Sequence, residues 1–220
     1  IEDQLIASGV APHLQRLEAP LAADEELARV HPIEYVRAIR EAAPEHGTIH
    51  LDPDTAMNPH SLKAALRAAG AAVLATDLVM QDKVKTAFCS VRPPGHHACR
   101  ARPMGFCIFN NVAVAARHAV HAHGVERVAI IDFDVHHGNG TEDAFRDAPR
   151  VMLCSTFQHP YYPYCGADTR SEHIVNVLLG GWLLAAPWLL EGASGVGTAG
   201  SVAATSASTG RSWANDSSSS

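Results

Sequence analysis

The chain has 220 residues, enough to bury a sizeable core as one domain with a tail, without a disulfide or structural metal merely to fold. Its 47% hydrophobic and 18% charged content excludes a disordered chain, and a net charge of −6 argues against nucleic acid as a partner. The longest apolar run, residues 177–190, is broken by Gly180, Gly181 and Pro187, so no membrane partner is expected and the expected compartment is cytoplasmic.

Taken in chain order, Glu34 to Ala43 reads as a helix opened by His31-Pro32. Pro59-His60-Ser61 precedes a long Ala- and Leu-rich helical stretch, Leu62 to Met80. Thr86 to Val91 reads as a short buried strand, ended by the loop Arg92-Pro93-Pro94-Gly95. A second helix is predicted over Asn111 to His123, stopped at Gly124. Arg127 to Asp134 is a continuous apolar strand ending in carboxylates, and Thr141 is expected to cap a short helix through Arg146. Val151 to Ser155 and His173 to Val177 are further strand candidates. Strands alternating with helices predict an α/β fold, a three-layer parallel sheet with helices on both faces. In such sheets ligands bind beyond the carboxyl ends of the strands, where the polar clusters fall.

Two clusters carry chemistry. Asp132-Phe-Asp134-Val-His136-His137-Gly138-Asn139-Gly140 would place Asp132, Asp134 and His136 on one strand face by alternation. Asp134 and His136 offer an oxygen and an imidazole nitrogen, donors that Zn²⁺ accepts. Buried carboxylates cost several kcal/mol unless paired or metal-bound, which weighs against a purely structural role. Pro93-Pro94-Gly95-His96-His97-Ala98 projects two imidazoles from a rigid loop, suited to taking a proton from water and giving one to a leaving amine. His118, His121 and His123 are expected on a solvated helix face, with a second metal site as the alternative. His31, His50, His60 and His173 have no assigned role. Pro160-Tyr-Tyr-Pro163 and Gly105-Phe-Cys107 could wall a narrow slot or simply pack the loops. The five Cys form no CxxC pair and are expected as reduced thiols.

Arg92-Pro-Pro-Gly-His-His-Ala98, Gly105-Phe-Cys-Ile-Phe-Asn-Asn111 and Asp132-Phe-Asp-Val-His-His-Gly-Asn-Gly-Thr141 together resemble the zinc-dependent histone deacetylase and acetylpolyamine amidohydrolase family. The resemblance runs from about Val30 to Val177, and Asn139 is similar to its class II and bacterial deacetylase-like branch. It implies zinc ligands at Asp134 and His136, and catalytic roles for His96 and His97, with Asp132 orienting the first imidazole and Asn139 the second. It further implies a structural K⁺ at Asp132, Asp134, His136 and Ser155. Phe106 would wall an acyl-lysine tunnel, and Asp52 or Asp54 would grip substrate at its rim. The implied reaction removes acetyl groups from an acetylated lysine peptide or a small acetylated amine.

The family pattern also calls for a third zinc-binding Asp and an oxyanion-stabilising Tyr, and neither is found here. Leu190-Glu-Gly-Ala-Ser194 only echoes the Tyr-bearing stretch. Residues 1–177 are therefore expected to form the N-terminal portion of the fold, incomplete at the C-terminus. Residues 178–220, which hold all three Trp and become rich in Gly, Ala and Ser, are expected to be a disordered or frame-shifted tail. The alternatives are a catalytically dead remnant that acts, if at all, as a binding fragment, and an arginase-type ureohydrolase. The ureohydrolase would want an Asp where Gly138 stands.

Overall fold

A computed structural model describes residues 1–179. The three Trp, the Leu190–Ser194 echo and nearly all of the expected tail lie outside the described residues. Helix α1 (Glu2–Ala7) and a 3₁₀ turn (Ala11–His13) lead into α2 (Asp24–Leu27) and α3 (Ile33–Ala42). An antiparallel hairpin of β1 (Ile49–Asp52) and β2 (Thr55–Met57) precedes α4 (Ser61–Met80) and α5 (Asn111–Ala122). Then come β3 (Val128–Asp132), α6 (Asn139–Phe145), β4 (Val151–Gln158) and β5 (Ile174–Leu179). Strands β3, β4 and β5 form a parallel sheet in sequence order, with Asp132 level with Ser155 and Ser155 level with Asn176.

The helices form where small apolar residues recur at helical spacing. Along α4, Ala65, Ala68, Ala69 and Ala72 are buried, and their short side chains let α5 approach through Ala113 and Ala116. Asn110 caps α5 by accepting the Ala113 N–H at 3.1 Å. On β4, alternation buries Val151, Leu153, Ser155 and Phe157 on one sheet face. Val151 and Leu153 join Leu27, Val36, Met57, Phe109, Ile130 and Phe145 in one core. The opposite face presents Ile131, Met152, Val175 and Val177, each 42–52% exposed among the described residues.

Three local expectations change. Residues 86–91 are not a strand: a strand needs a neighbour's backbone hydrogen bonds, and β3 is paired only with β4 among the described residues. Helix α6 begins at Asn139 rather than being capped by Thr141, because the Thr141 hydroxyl is taken by the Asn110 amide at 3.2 Å. His118 is buried, not solvated. All five Cys are free thiols, as expected.

His31, unassigned from sequence, is fully buried and joins two distant segments. Its Nε2 accepts the Asn110 N–H at 3.0 Å, so Nδ1 carries the proton and donates to the Arg100 carbonyl at 2.9 Å. The Tyr35 hydroxyl donates to the Ile108 carbonyl at 2.7 Å beside it. Burial pushes the His31 pKa down to about 4. The unfolded chain therefore binds this proton between about pH 6.5 and 4 while the folded chain does not, so the contribution is complete above pH 6.5 and is lost as pH falls towards 4. His31→Phe leaves the buried Asn110 N–H and the part-buried Arg100 carbonyl unpaired, with an expected cost of about 2–4 kcal/mol. Urea unfolding across this pH window should show a flatter slope in the variant; an unchanged slope contradicts the assignment.

Candidate active site

The site grows from the carboxyl end of β3. The strand stops at Asp132, and two consecutive side-chain-capped turns follow. Asp132 Oδ1 accepts the Asp134 N–H at 3.2 Å, and Asp134 Oδ1 accepts the His136 N–H at 2.8 Å. Strand alternation therefore does not align Asp132, Asp134 and His136, because only the first lies in the strand. The turns bring them together instead.

The second oxygen of Asp132 accepts the His96 Nδ1–H at 2.9 Å. The loop bearing His96 and His97 is pinned by α6, whose Gly140 and Thr141 N–H groups both donate to the His96 carbonyl, at 2.9 and 3.1 Å. The two imidazole rings lie 4.0 Å apart. His97 Nδ1 donates to Asn139 Oδ1 at 2.8 Å, leaving Nε2 with a lone pair. The Asn139 amide nitrogen in turn faces Cys99 Sγ and Met104 Sδ, both at 3.3 Å.

The pair is electrostatically unequal. Burial works against charging His96, but the hydrogen bond and charge of Asp132, helped by Asp134, outweigh it and raise its pKa. Burial also lowers His97, and His96 beside it lowers it further, to about 4. Asp132 is held below the usual carboxylate range: burial opposes ionisation, and His96 more than compensates. At neutral pH, His97 is a neutral imidazole next to a more basic partner.

Asp134 Oδ1 and His136 Nδ1 face each other at 3.0 Å, with side chains 14% and 40% exposed. Two ligands of a tetrahedral zinc would stand about 3.3 Å apart, so donor type and spacing fit the ion. The fit stops at two donors: among the described residues, the one group of three donor side chains is elsewhere, at Asp77, His118 and His123. Ser155 is buried beside Asp132 in the sheet register, and its Oγ has no partner.

A cavity of about 520 Å³ opens over these groups, lined by Asp54, His96, His97, Phe106, Asp134 and Tyr162 among others. Phe106 is 67% exposed, and its N–H donates to Thr55 Oγ1 at 3.1 Å, which ties its loop to the hairpin. Of the two rim carboxylates, Asp54 lines the cavity, whereas Asp52 closes the hairpin turn by accepting the Asp54 N–H at 2.9 Å. Tyr162 packs edge-on against His97, with ring centres 5.1 Å apart, and its hydroxyl is buried without a partner. Burial, then Asp54 and Asp52, push this phenol up to about 12, so it stays a donor. The Pro160–Pro163 segment signalled aromatics near the site but could not single out Tyr162 from the exposed Tyr161 and Tyr164.

Sequence reading also missed a buried group behind the site. His137 Nε2 lies 3.0 Å from Glu142, which also accepts from Thr169 at 2.7 Å and Asn176 at 2.9 Å. Burial opposes ionisation of Glu142, but these donors hold its pKa at about 2. The network joins α6, β5 and the loop between β4 and β5.

Residues 1–183 match the model of the histone deacetylase domain. A histone deacetylase-like amidohydrolase of Pseudomonas aeruginosa is 40% identical over 174 residues, covering 78% of this chain and 46% of that protein. The polyamine deacetylase HDAC10 of Rattus norvegicus is 37% identical over 184 residues, covering 76% of this chain and 30% of that protein. Among solved structures, an HDA15 HD domain superposes with a TM-score of 0.76 at 37% identity, covering 81% of this chain and 52% of that one. The chain thus spans about half the length, or less, of these relatives.

Gly138 is the position on which the Asp132–His96 pair turns. A Cβ there would sit 2.2 Å from Asp132 Oδ2 and 3.3 Å from His96 Nδ1. Gly138→Ala should therefore break the pair and remove the low-field Nδ1 proton resonance of His96. Persistence of that resonance would contradict this reading.

Proposed function

The chain belongs to the histone deacetylase family, and on that premise we propose that its site serves zinc-dependent removal of acetyl groups from acetylated lysine or an acetylated polyamine-type amine. Asp134 and His136 would hold the zinc, which when bound supplies Lewis acidity towards the amide carbonyl and towards water. A third protein donor is not among the described residues.

The observation that carries the proposal is the unequal imidazole pair. Neutral His97, oriented by Asn139, offers Nε2 to take a proton from the attacking water and then deliver it to the departing amine. His96, paired with Asp132, is the more basic imidazole and the more readily charged one beside the centre where negative charge develops. Phe106 and Tyr162 suit the walls of a slot for an alkyl stem, and Asp54 suits an amide N–H or an ammonium at the rim. The name of the HDAC10 relative supports small acetylated amines among the substrates. A structural K⁺ at Asp132, Asp134, His136 and Ser155 is supported by the orphaned, buried Ser155 hydroxyl, a hard oxygen donor with no protein partner. Residues 1–177 would form the deacetylase-like domain, and residues 178–220 a separate segment.

Because only two zinc donors come together among the described residues, a second reading is a silent member that binds acetylated amines without cleaving them. Zinc titration and acetate release from an acetyl-lysine peptide and from an acetylated polyamine separate the two. The hydrolase reading expects zinc-dependent release that falls at least 100-fold in His97→Ala and in Asp134→Ala. Release unaffected by both substitutions refutes the site, and peptide binding with no release at saturating zinc establishes the silent reading.

A further inference from the structure

We propose that Asp77, His118 and His123 form a second divalent transition-metal site, separate from the β3 end and independent of the function proposed above. Asp77 lies in the last turn of α4, His118 in the second half of α5, and His123 caps the end of α5. Their donor atoms all lie within 4.8 Å of one another. His118 Nε2 and His123 Nε2 both reach the same oxygen, Asp77 Oδ1, each at 2.6 Å, with ring centres 5.4 Å apart. Two imidazole nitrogens and one carboxylate are a donor set that zinc, cobalt and nickel accept. A tetrahedral ion would lengthen each of the two imidazole–carboxylate distances from 2.6 Å to about 3.3 Å.

A second observation points to a cation here. The carboxyl-terminal ends of α4 and α5 converge on the cluster, each carrying partial negative charge, and Asp77 adds a full one. A carboxylate at that end of a helix is unfavourable unless a cation faces it. His118 is buried and His123 largely so, which shields the position from water. His121, between them in sequence, takes no part among these contacts.

Arg29 approaches the cluster from the other edge of the His118 ring. Its guanidinium meets His118 Nδ1, and because arginine only donates, that nitrogen must carry the lone pair and Nε2 the proton. A metal at Nε2 needs the opposite tautomer. Metal entry therefore moves the His118 proton to Nδ1, turns Arg29 aside and replaces the shared hydrogen bonds to Asp77 by coordination. Arg29 at Nδ1 and a metal at Nε2 require opposite tautomers of His118 and so oppose one another, which gives Arg29 a signature that a purely structural residue lacks.

The test uses the full chain carrying Asp134→Asn and His136→Ala, so that the β3 end contributes no metal signal. Cobalt(II) is titrated at pH 7.5 and followed by its visible absorption, with far-UV circular dichroism checking that each variant keeps its helices. The proposal expects one cobalt per chain with tetrahedral-type absorption. His123→Ala should weaken binding at least tenfold, and so should Asp77→Asn. Arg29→Ala should tighten it at least fivefold. Cobalt affinity untouched by His123→Ala and Asp77→Asn, or weakened by Arg29→Ala, overturns the proposal. Absence of bound cobalt in a chain with full helical content does the same.

Discussion

The Asp132 carboxylate is the constraint from which the site follows. One oxygen closes the turn that folds Asp134 back from the strand, and the other orients His96. A single buried anion thus couples the end of β3 to a loop 36 residues earlier in the chain. Its charge also separates the two imidazoles in basicity: His96 is raised by it, and His97 is lowered in part because His96 stands beside it. Gly138 has no side chain for the same reason, since the space a Cβ would need is occupied by Asp132.

Around that anion the scaffold works by anchoring loops at both ends. The first N–H groups of α6 hold the His96 carbonyl, and Asn110, which caps α5, also donates to the Ala98 carbonyl and the Thr141 hydroxyl. His31 secures Arg100 and Asn110 from the opposite side. The loop with Phe106 is therefore suspended between buried polar groups that are each satisfied, which favours one arrangement over many. Glu142 performs a similar role behind the site, drawing His137, Thr169 and Asn176 onto one carboxylate.

Much of this was legible in the sequence because its signals are local. Continuous apolar strands and Ala-rich helices located β3, α4 and α5, and residue chemistry singled out Asp132, Asp134, His96 and His97, while Asn139 entered only through the family resemblance. What stayed hidden depends on distance in sequence. Alternation misassigned the alignment of Asp134 and His136, since it cannot foresee a strand ending in side-chain-capped turns. The segment 86–91 has strand composition but lacks a neighbour among the described residues to complete its hydrogen bonds. His31 and Tyr162 matter through partners far away in the chain, and no spacing rule brings them forward. Histidine spacing on α5 hinted at a metal site, but the partner is Asp77 on α4, and only helix packing brings the two together.

The central claim is that His96 and His97, adjacent in sequence and 4.0 Å apart, differ in basicity because Asp132 faces His96 and raises it, while burial and the neighbouring His96 lower His97. Long-range proton–nitrogen correlation spectra of the histidine side chains at pH 7 test it directly. The account predicts a neutral His97 with its proton on Nδ1, titrating only near pH 4, and a His96 whose titration lies above that of an ordinary imidazole. Two imidazoles titrating together near pH 6.5, or a His97 protonated on Nε2 alone, would contradict it.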